Sequence, residues 1–305
     1  MAVYEHLYRT FEGEPQSAQR RFLVIPRYAL REIFRSKLFV TVFSLCFIYP
    51  LVAAILVYLH HNANAIALLQ INVRELLPID ASFFRTYLEV QGSFSFILTV
   101  LAAPPLISRD LANNALPLYL CRPLSRFEYV LGKMAVIAFI LSLVTWVPGL
   151  LVFFLQASLS GFEWFRENLW MVWAVFFGSM VWIVLLALLS LAVSAFLKWR
   201  VVASGALLGM FFVPGAFAAI VNKLFLTQTG DLFSLFAVMN NIWRGLFGLF
   251  ERRSEMIESP IYEEQIAGMA VLEPPLWASW LVVALVCAVC VWLLSRKVRA
   301  YEVIK

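Results

Sequence analysis

The amino-acid sequence reads as an all-α integral membrane protein: six transmembrane helices, an N-terminal amphipathic cytoplasmic helix, and an outer interfacial or re-entrant helix before the last span. Composition, the length of the apolar runs and the placement of cations lead there. Of the 305 residues, 62% are hydrophobic and only 14% are charged, whereas a soluble domain is about half apolar and about a quarter charged. In water such a chain would expose large apolar patches, and a bilayer is the solvent that accommodates it. Met1 to Gln19 carries Glu5, Glu12 and Glu14 and no apolar core of the length a signal peptide needs, so the first span is expected to drive insertion.

Crossing about 30 Å of hydrocarbon takes roughly 20 residues. Six runs qualify: Leu38–Leu59, Leu88–Ile107, Met134–Gln156, Leu169–Leu197, Val201–Val221 and Leu276–Leu294. The second is the least apolar, with Glu89 near one end, where the interface can hold it, and Pro104–Pro105 near the other. Only Lys198–Arg200 separates the fourth from the fifth, so a tight turn makes these two antiparallel neighbours. Lys and Arg counts set orientation, because cytoplasmic loops carry the excess. With both termini cytoplasmic, the inside segments hold 17 such residues and the outside segments 7, four of these in one long segment where the rule is weak. The expected location is the plasma (inner) membrane. The chain then forms one transmembrane domain: a cytoplasmic segment over 1–37, five spans within 38–221, an outer loop over 222–275, the last span over 276–295 and a cytoplasmic tail over 296–305.

Two segments outside the spans also carry patterns. In Phe22–Lys37, Arg27, Arg31 and Arg35 recur every four residues as a basic stripe, beside an apolar stripe of Leu30, Ile33, Phe34 and Leu38. Pro26 can start a helix. The pattern suits an amphipathic helix at the cytoplasmic surface; the alternative is a continuation of the first span with snorkelling arginines. In the outer loop, Leu232–Phe250 is strongly apolar but interrupted by Asn240, Asn241 and Arg244. A seventh span there would put the basic C-terminus outside, so an interfacial or re-entrant helix is expected. Glu251–Glu273 is acidic and polar and reads as exposed loop.

The span cores, inside their interfacial ends, hold no Asp, Glu, Lys, Arg or His. Proton relays, ion-coupled carriers and voltage sensors place such groups at membrane depth. Intramembrane proteolysis needs its own catalytic set, and no H-E-x-x-H occurs. His60 and His61 are adjacent, which on a helix points them to different faces. Cys287 and Cys290 form a C-x-x-C in an apolar run, where cysteines are small hydrophobes. No G-x-x-x-x-G-K-[ST] loop is present, so this chain is expected to bind no nucleotide by that motif. Pro50, Pro104, Pro105, Pro148 and Pro214 fall within or at the ends of spans. They suit either a gated, tilting bundle or ordinary proline usage in membrane helices. The reading is of a chain that is not an enzyme, with no cofactor, metal or nucleic-acid partner of its own.

The most distinctive stretch lies between the second and third spans. It runs Ile107-Ser108-Arg109-Asp110, then Leu116 to Leu120, then Arg122-Pro123-Leu124-Ser125-Arg126-Phe127-Glu128-Tyr129-Val130-Leu131-Gly132-Lys133. Pro104–Pro105 bends the exit of the second span. A short helix can run from about Asp110 to Cys121, limited by Pro117. Ser125 can cap the next helix, with Glu128 three residues on as in a capping box. The result is a compact charged knob that can dock a soluble partner, or else a solvated connector with positive-inside residues.

This stretch resembles the loop after the second span of type-two ABC transporter permeases, "I-S-x-D-x-x-x-x-x-L-x-L-x-L-x-x-P-x-S-R-x-x-Y-x-x-G-K". The matching residues are Ser108, Asp110, Leu116, Leu118, Leu120, Pro123, Ser125, Arg126, Tyr129, Gly132 and Lys133. Ala29–Phe39 is similar to that family's cytoplasmic connecting helix, and Ser295–Arg299 to its C-terminal tail. Asn113-Asn114-Ala115 and Pro117 depart from the pattern and bear on the short helix's length. The resemblance implies a pathway of two permease chains, homo- or heterodimeric, powered by separate cytoplasmic ABC ATPase subunits that bind ATP and Mg. It also implies export. Coupling to the ATPase would fall on Arg109, Asp110, Leu116, Leu120, Arg122, Pro123, Ser125, Arg126 and Glu128, with Arg27, Arg31 and Arg35 as an accessory surface. Uncharged cores favour a hydrophobic or amphipathic cargo over an ion. The rival readings are a non-transporting membrane scaffold or assembly subunit, and an intramembrane enzyme, against which the empty catalytic inventory stands.

Overall fold

Hydrogen-bonded backbone is compulsory in hydrocarbon, and a chain this apolar answers that demand with helices. The computed structural model describes residues 24–62, 78–106, 108, 126–197, 199–225, 227–249 and 274–297, and among these it is all-helical. In chain order the helices are α1 Val24–Ile33, α2 Lys37–Leu45, α3 Ile48–His61, α4 Ala81–Ala102, α5 Arg126–Val144 and α6 Trp146–Ser160. There follow α7 Phe162–Asn168, α8 Trp170–Phe196, α9 Arg200–Phe225, a 3₁₀ turn Thr229–Phe233, α10 Leu235–Leu246 and α11 Leu276–Lys297. Six helical stretches are long and apolar enough to cross a bilayer: Lys37–His61, Ala81–Leu106, Phe127–Ser160, Trp170–Phe196, Arg200–Phe225 and Leu276–Arg296. The chain is thus a six-helix candidate for a multi-pass membrane protein, with the spans where the apolar runs lie.

The boundaries differ from the apolar runs in ways the residues explain. The second span starts at Ala81, seven residues before Leu88. Asp80 caps it: its Oδ1 accepts from the amides of Ser82 at 2.9 Å and Phe83 at 3.3 Å. Arg85 and Glu89 therefore lie within the helix, and their 3.2 Å ion pair one turn apart lets a charged first stretch stay helical. The N-terminal helix ends at Ile33 rather than reaching Lys37, because Ser36 starts the next helix by accepting from the Phe39 amide. α1 is therefore not a straight extension of the first span. Its buried residues are Pro26, Ala29 and Ile33, with Leu30 half-buried, while Phe34 and Leu38 stay exposed.

Two of the spans are interrupted, each three or four residues before a proline. Span one breaks at Cys46–Phe47, with Pro50 the third residue of α3; span three breaks at Thr145, with Pro148 the third residue of α6. Proline offers no N–H to the carbonyl four residues back. For Pro50 that carbonyl belongs to Cys46, and it accepts instead from the fully buried Gln91 Nε2 of α4 at 3.1 Å. A buried amide from a neighbouring span thus makes good the hydrogen bond the proline removes. Pro214 sits inside α9 without ending it.

α8 is the axis of the bundle and touches α4, α5, α6, α9, α10 and α11. Its run Leu185–Ala192 is buried on every side, as a helix apolar all round must be when it is central. The most apolar stretches of spans two, three and four are 61%, 56% and 61% buried, against 22%, 17% and 28% for spans one, five and six. Spans one, five and six are thus the outer staves, and their apolar outer faces suit lipid.

Candidate functional site at the basic end of the bundle

The two ends of the bundle differ in charge. Where α1, α2, α5 and α9 begin and α11 finishes, the described residues include nine Lys or Arg against two carboxylates, Glu32 and Glu128. The opposite end holds four, Arg85, Arg166, Lys223 and Arg244, against five carboxylates, Asp80, Glu89, Glu163, Glu167 and Asp231.

At the basic end lies a groove of about 530 Å³. α1 and the turn after it supply one wall, with Arg31, Glu32 and Arg35; the start of α2 and the end of span two supply an apolar floor, with Leu38, Phe39, Leu101 and Leu106. Lys133 of α5 and Arg200 of α9 reach it from the far side. Lys133 is only 6% exposed, and its Nζ stands 5.6 Å from the Tyr129 ring centre, within cation–π range. α1 packs on α5, with Ile25 set against Gly132, where a Cβ would lie 3.4 Å from the isoleucine. The exit of span two is anchored as well. The Pro104 carbonyl accepts from Ser194 Oγ of α8 at 2.8 Å and from Ser108 Oγ, and the Ser108 amide donates to Ser194 Oγ at 3.1 Å.

The residues singled out in the sequence divide three ways. Arg31 and Arg35 line the groove, whereas Arg27 is exposed on α1 away from it. Arg126 opens α5, and Glu128 is half-buried in its first turn. Arg109, Asp110, Leu116, Leu120, Arg122, Pro123 and Ser125 lie outside the described residues, as do the short helix expected after Asp110 and the acidic stretch Glu251–Glu273. Lys133 and Arg200 were visible in the sequence only as a motif match and as a turn residue. That they share one groove is a tertiary fact; the signal available was that Arg200 opens a basic-end helix and Lys133 lies two turns into another.

The opposite end is closed by α10. Its twelve residues span about 18 Å, too short to cross a bilayer. Trp243 instead inserts between α4 and α8: a Cβ on Gly92 would meet its ring at 2.6 Å, and one on Gly178 at 3.0 Å. Its Nε1 donates to the Gly178 carbonyl at 3.1 Å. Beside it the buried Trp182 donates to Ser95 Oγ at 2.8 Å. Side-chain hydrogen bonds hold the rest. Asn241 Nδ2 donates to Ser279 Oγ of α11 at 2.8 Å, and Arg85 donates to Asn240 Oδ1 at 2.9 Å. Asn222 of α9 donates to Asp231 and accepts from the Gly230 amide, both at 2.8 Å. His61 pairs with Ser160 Oγ at 3.0 Å, tying α3 to α6. Among the described residues, no three His, Cys, Asp or Glu side chains gather in a metal-binding group.

Such an arrangement can bind anions or an acidic surface at the basic end. Set against known protein families and against curated proteins, the chain matches none.

Proposed function

We propose that the chain is the permease subunit of an ATP-driven ABC transporter. It lies in the plasma (inner) membrane with its basic end in the cytoplasm, and a separate ATPase binds ATP and Mg and supplies the power. One observation carries the reading: the segment Ser108–Lys133 has the family-like pattern, and its described end packs on α1, the helix that carries the second likeness. Tyr129, Gly132 and Lys133, three of the matching residues, are buried there. Two elements that the resemblance gives to one partner thus form one surface.

The coupling that follows is mechanical. An ATPase closing on ATP pushes on α1 and on the Arg109–Arg126 segment. The interrupted spans one and three adjoin the same groove, and their breaks at Cys46–Phe47 and Thr145 are where tilt can be absorbed, since helices bend at proline-linked interruptions. Cores without charge suit a hydrophobic or amphipathic cargo, moved outward, along a path shared with a second permease chain. The test is purification of the full chain with whatever ATPase it retains, followed by hydrolysis assays. Charge reversal at Asp110 or Arg126 is expected to reduce ATPase retention about tenfold or more, as loss of a paired interfacial charge does. Retention unchanged in both variants, or no P-loop ATPase bound at all, would return the chain to the scaffold reading.

A further inference from the structure

The groove at the basic end has a composition that coupling alone does not explain. Arg31, Arg35, Lys133 and Arg200 face it against one described carboxylate, Glu32. Arg31 of α1, Arg35 of the turn that follows it and Arg200 of α9 are exposed cations around one groove, and like charges so gathered repel one another. An anion entering the groove relieves that repulsion. The groove is also apolar below: Leu38, Phe39, Leu101 and Leu106 form its floor, and Leu38 is 58% exposed at the start of the outer stave α2. Charge above and hydrocarbon below, at the end of a membrane span, is the profile of a phospholipid rather than of a soluble ion.

The geometry points to a binding site for an anionic glycerophospholipid of the cytoplasmic leaflet. Its phosphate sits among Arg31, Arg35, Lys133 and Arg200, and its acyl chains run down over Leu38 and along the exposed face of α2. Basic pockets between spans on the cytoplasmic side recognise such headgroups by this chemistry. The lipid wedges between α1 and the bundle, so it sets how firmly α1 is held. The site depends on membrane insertion and on the groove, not on the ATPase, and it stands or falls separately from the transporter reading.

Native mass spectrometry of the full chain in a mild neutral detergent tests it, with phosphatidylglycerol, phosphatidylcholine of the same chains, and inorganic pyrophosphate as probes. The expected result is one phosphatidylglycerol bound at least about tenfold tighter than phosphatidylcholine, with pyrophosphate unable to displace it at equal concentration. Each charge near a membrane surface contributes about a fivefold factor. Arg35→Gln and Arg200→Gln should each weaken phosphatidylglycerol by about that much, Arg35→Lys and Arg200→Lys should retain most of the affinity, and Arg27→Gln should change nothing. Equal binding of the two lipids overturns the proposal. So does an equal loss in Arg27→Gln, which would mean diffuse surface charge. Displacement by pyrophosphate overturns the lipid assignment in favour of a soluble phosphate. Loss of ATPase retention in Arg35→Gln with lipid binding unchanged would give the groove to the protein partner. The lysine variants keep the charge and the fold, so failure of the glutamine variants to fold leaves the test intact.

Discussion

The two ends of this bundle are built on opposite principles. The end capped by α10 is closed: Trp243 fills the space between Gly92 and Gly178, and Asn222, Asn240 and Asn241 each find a side-chain hydrogen-bond partner. The basic end is open: α1 stops at Ile33 and packs on α5, a groove opens beside it against spans two and five, and the charges that line it are of one sign but for Glu32. A closed end fixes the spans relative to one another, and an open, charged end can receive something. The difference teaches that stability and interaction are divided between the ends, and substitutions should report which end they fall on.

The largest effect should come from emptying the closed end. Trp243→Ala removes a buried indole from between two spans, and such truncations cost about 3–5 kcal/mol; thermal unfolding in detergent should show a marked drop in Tm. Gly92→Leu breaks the same contact from the other side by overpacking, at about 1–3 kcal/mol. Its control is Gly205→Leu on the outer face of α9, where a Cβ would meet nothing within 4 Å and Tm should hold. Equal destabilisation by the two glycine variants would erase the contrast between a filled and an open face. Gln91→Leu comes next: it leaves the Cys46 carbonyl without its donor beside Pro50, for about 1–2 kcal/mol, read by the same melt. Smallest in stability is Arg31→Gln at the open end, expected within about 0.5 kcal/mol as for exposed substitutions generally; its effect belongs in binding assays. A melt shifted as far by Arg31→Gln as by Gln91→Leu would mean that the basic end is structural after all.

Much of this was legible in the sequence, for reasons the residues make plain. Span number and approximate place follow from uninterrupted apolar length, which hydrocarbon thickness enforces and tertiary packing cannot override. The breaks in spans one and three were foreshadowed by Pro50 and Pro148, whose missing N–H is a local fact. Other features were not local. The start of α4 at Ala81 was hidden because Arg85 and Glu89 look like loop until they are seen to pair with each other, and Arg85 with Asn240. The buried face of α1 centres on Ala29 and Ile33 rather than on Phe34 and Leu38, because Ser36 ends the helical register early. That Trp243 reaches Gly92, about 150 residues away in the chain, or that Arg31 and Arg200 share a groove, depends on how helices pack, and no window of sequence contains it.

Which end faces the cytoplasm is read directly by cysteine labelling in intact cells. With Cys46, Cys121, Cys287 and Cys290 replaced by Ala, single cysteines go in at Arg27 on α1 and at Glu163 on α7, both exposed and at opposite ends. A membrane-impermeant maleimide should label Glu163→Cys in intact cells and Arg27→Cys only after permeabilisation. Labelling of Arg27→Cys in intact cells, with Glu163→Cys protected, would invert the bundle and contradict a cytoplasmic role for its basic end.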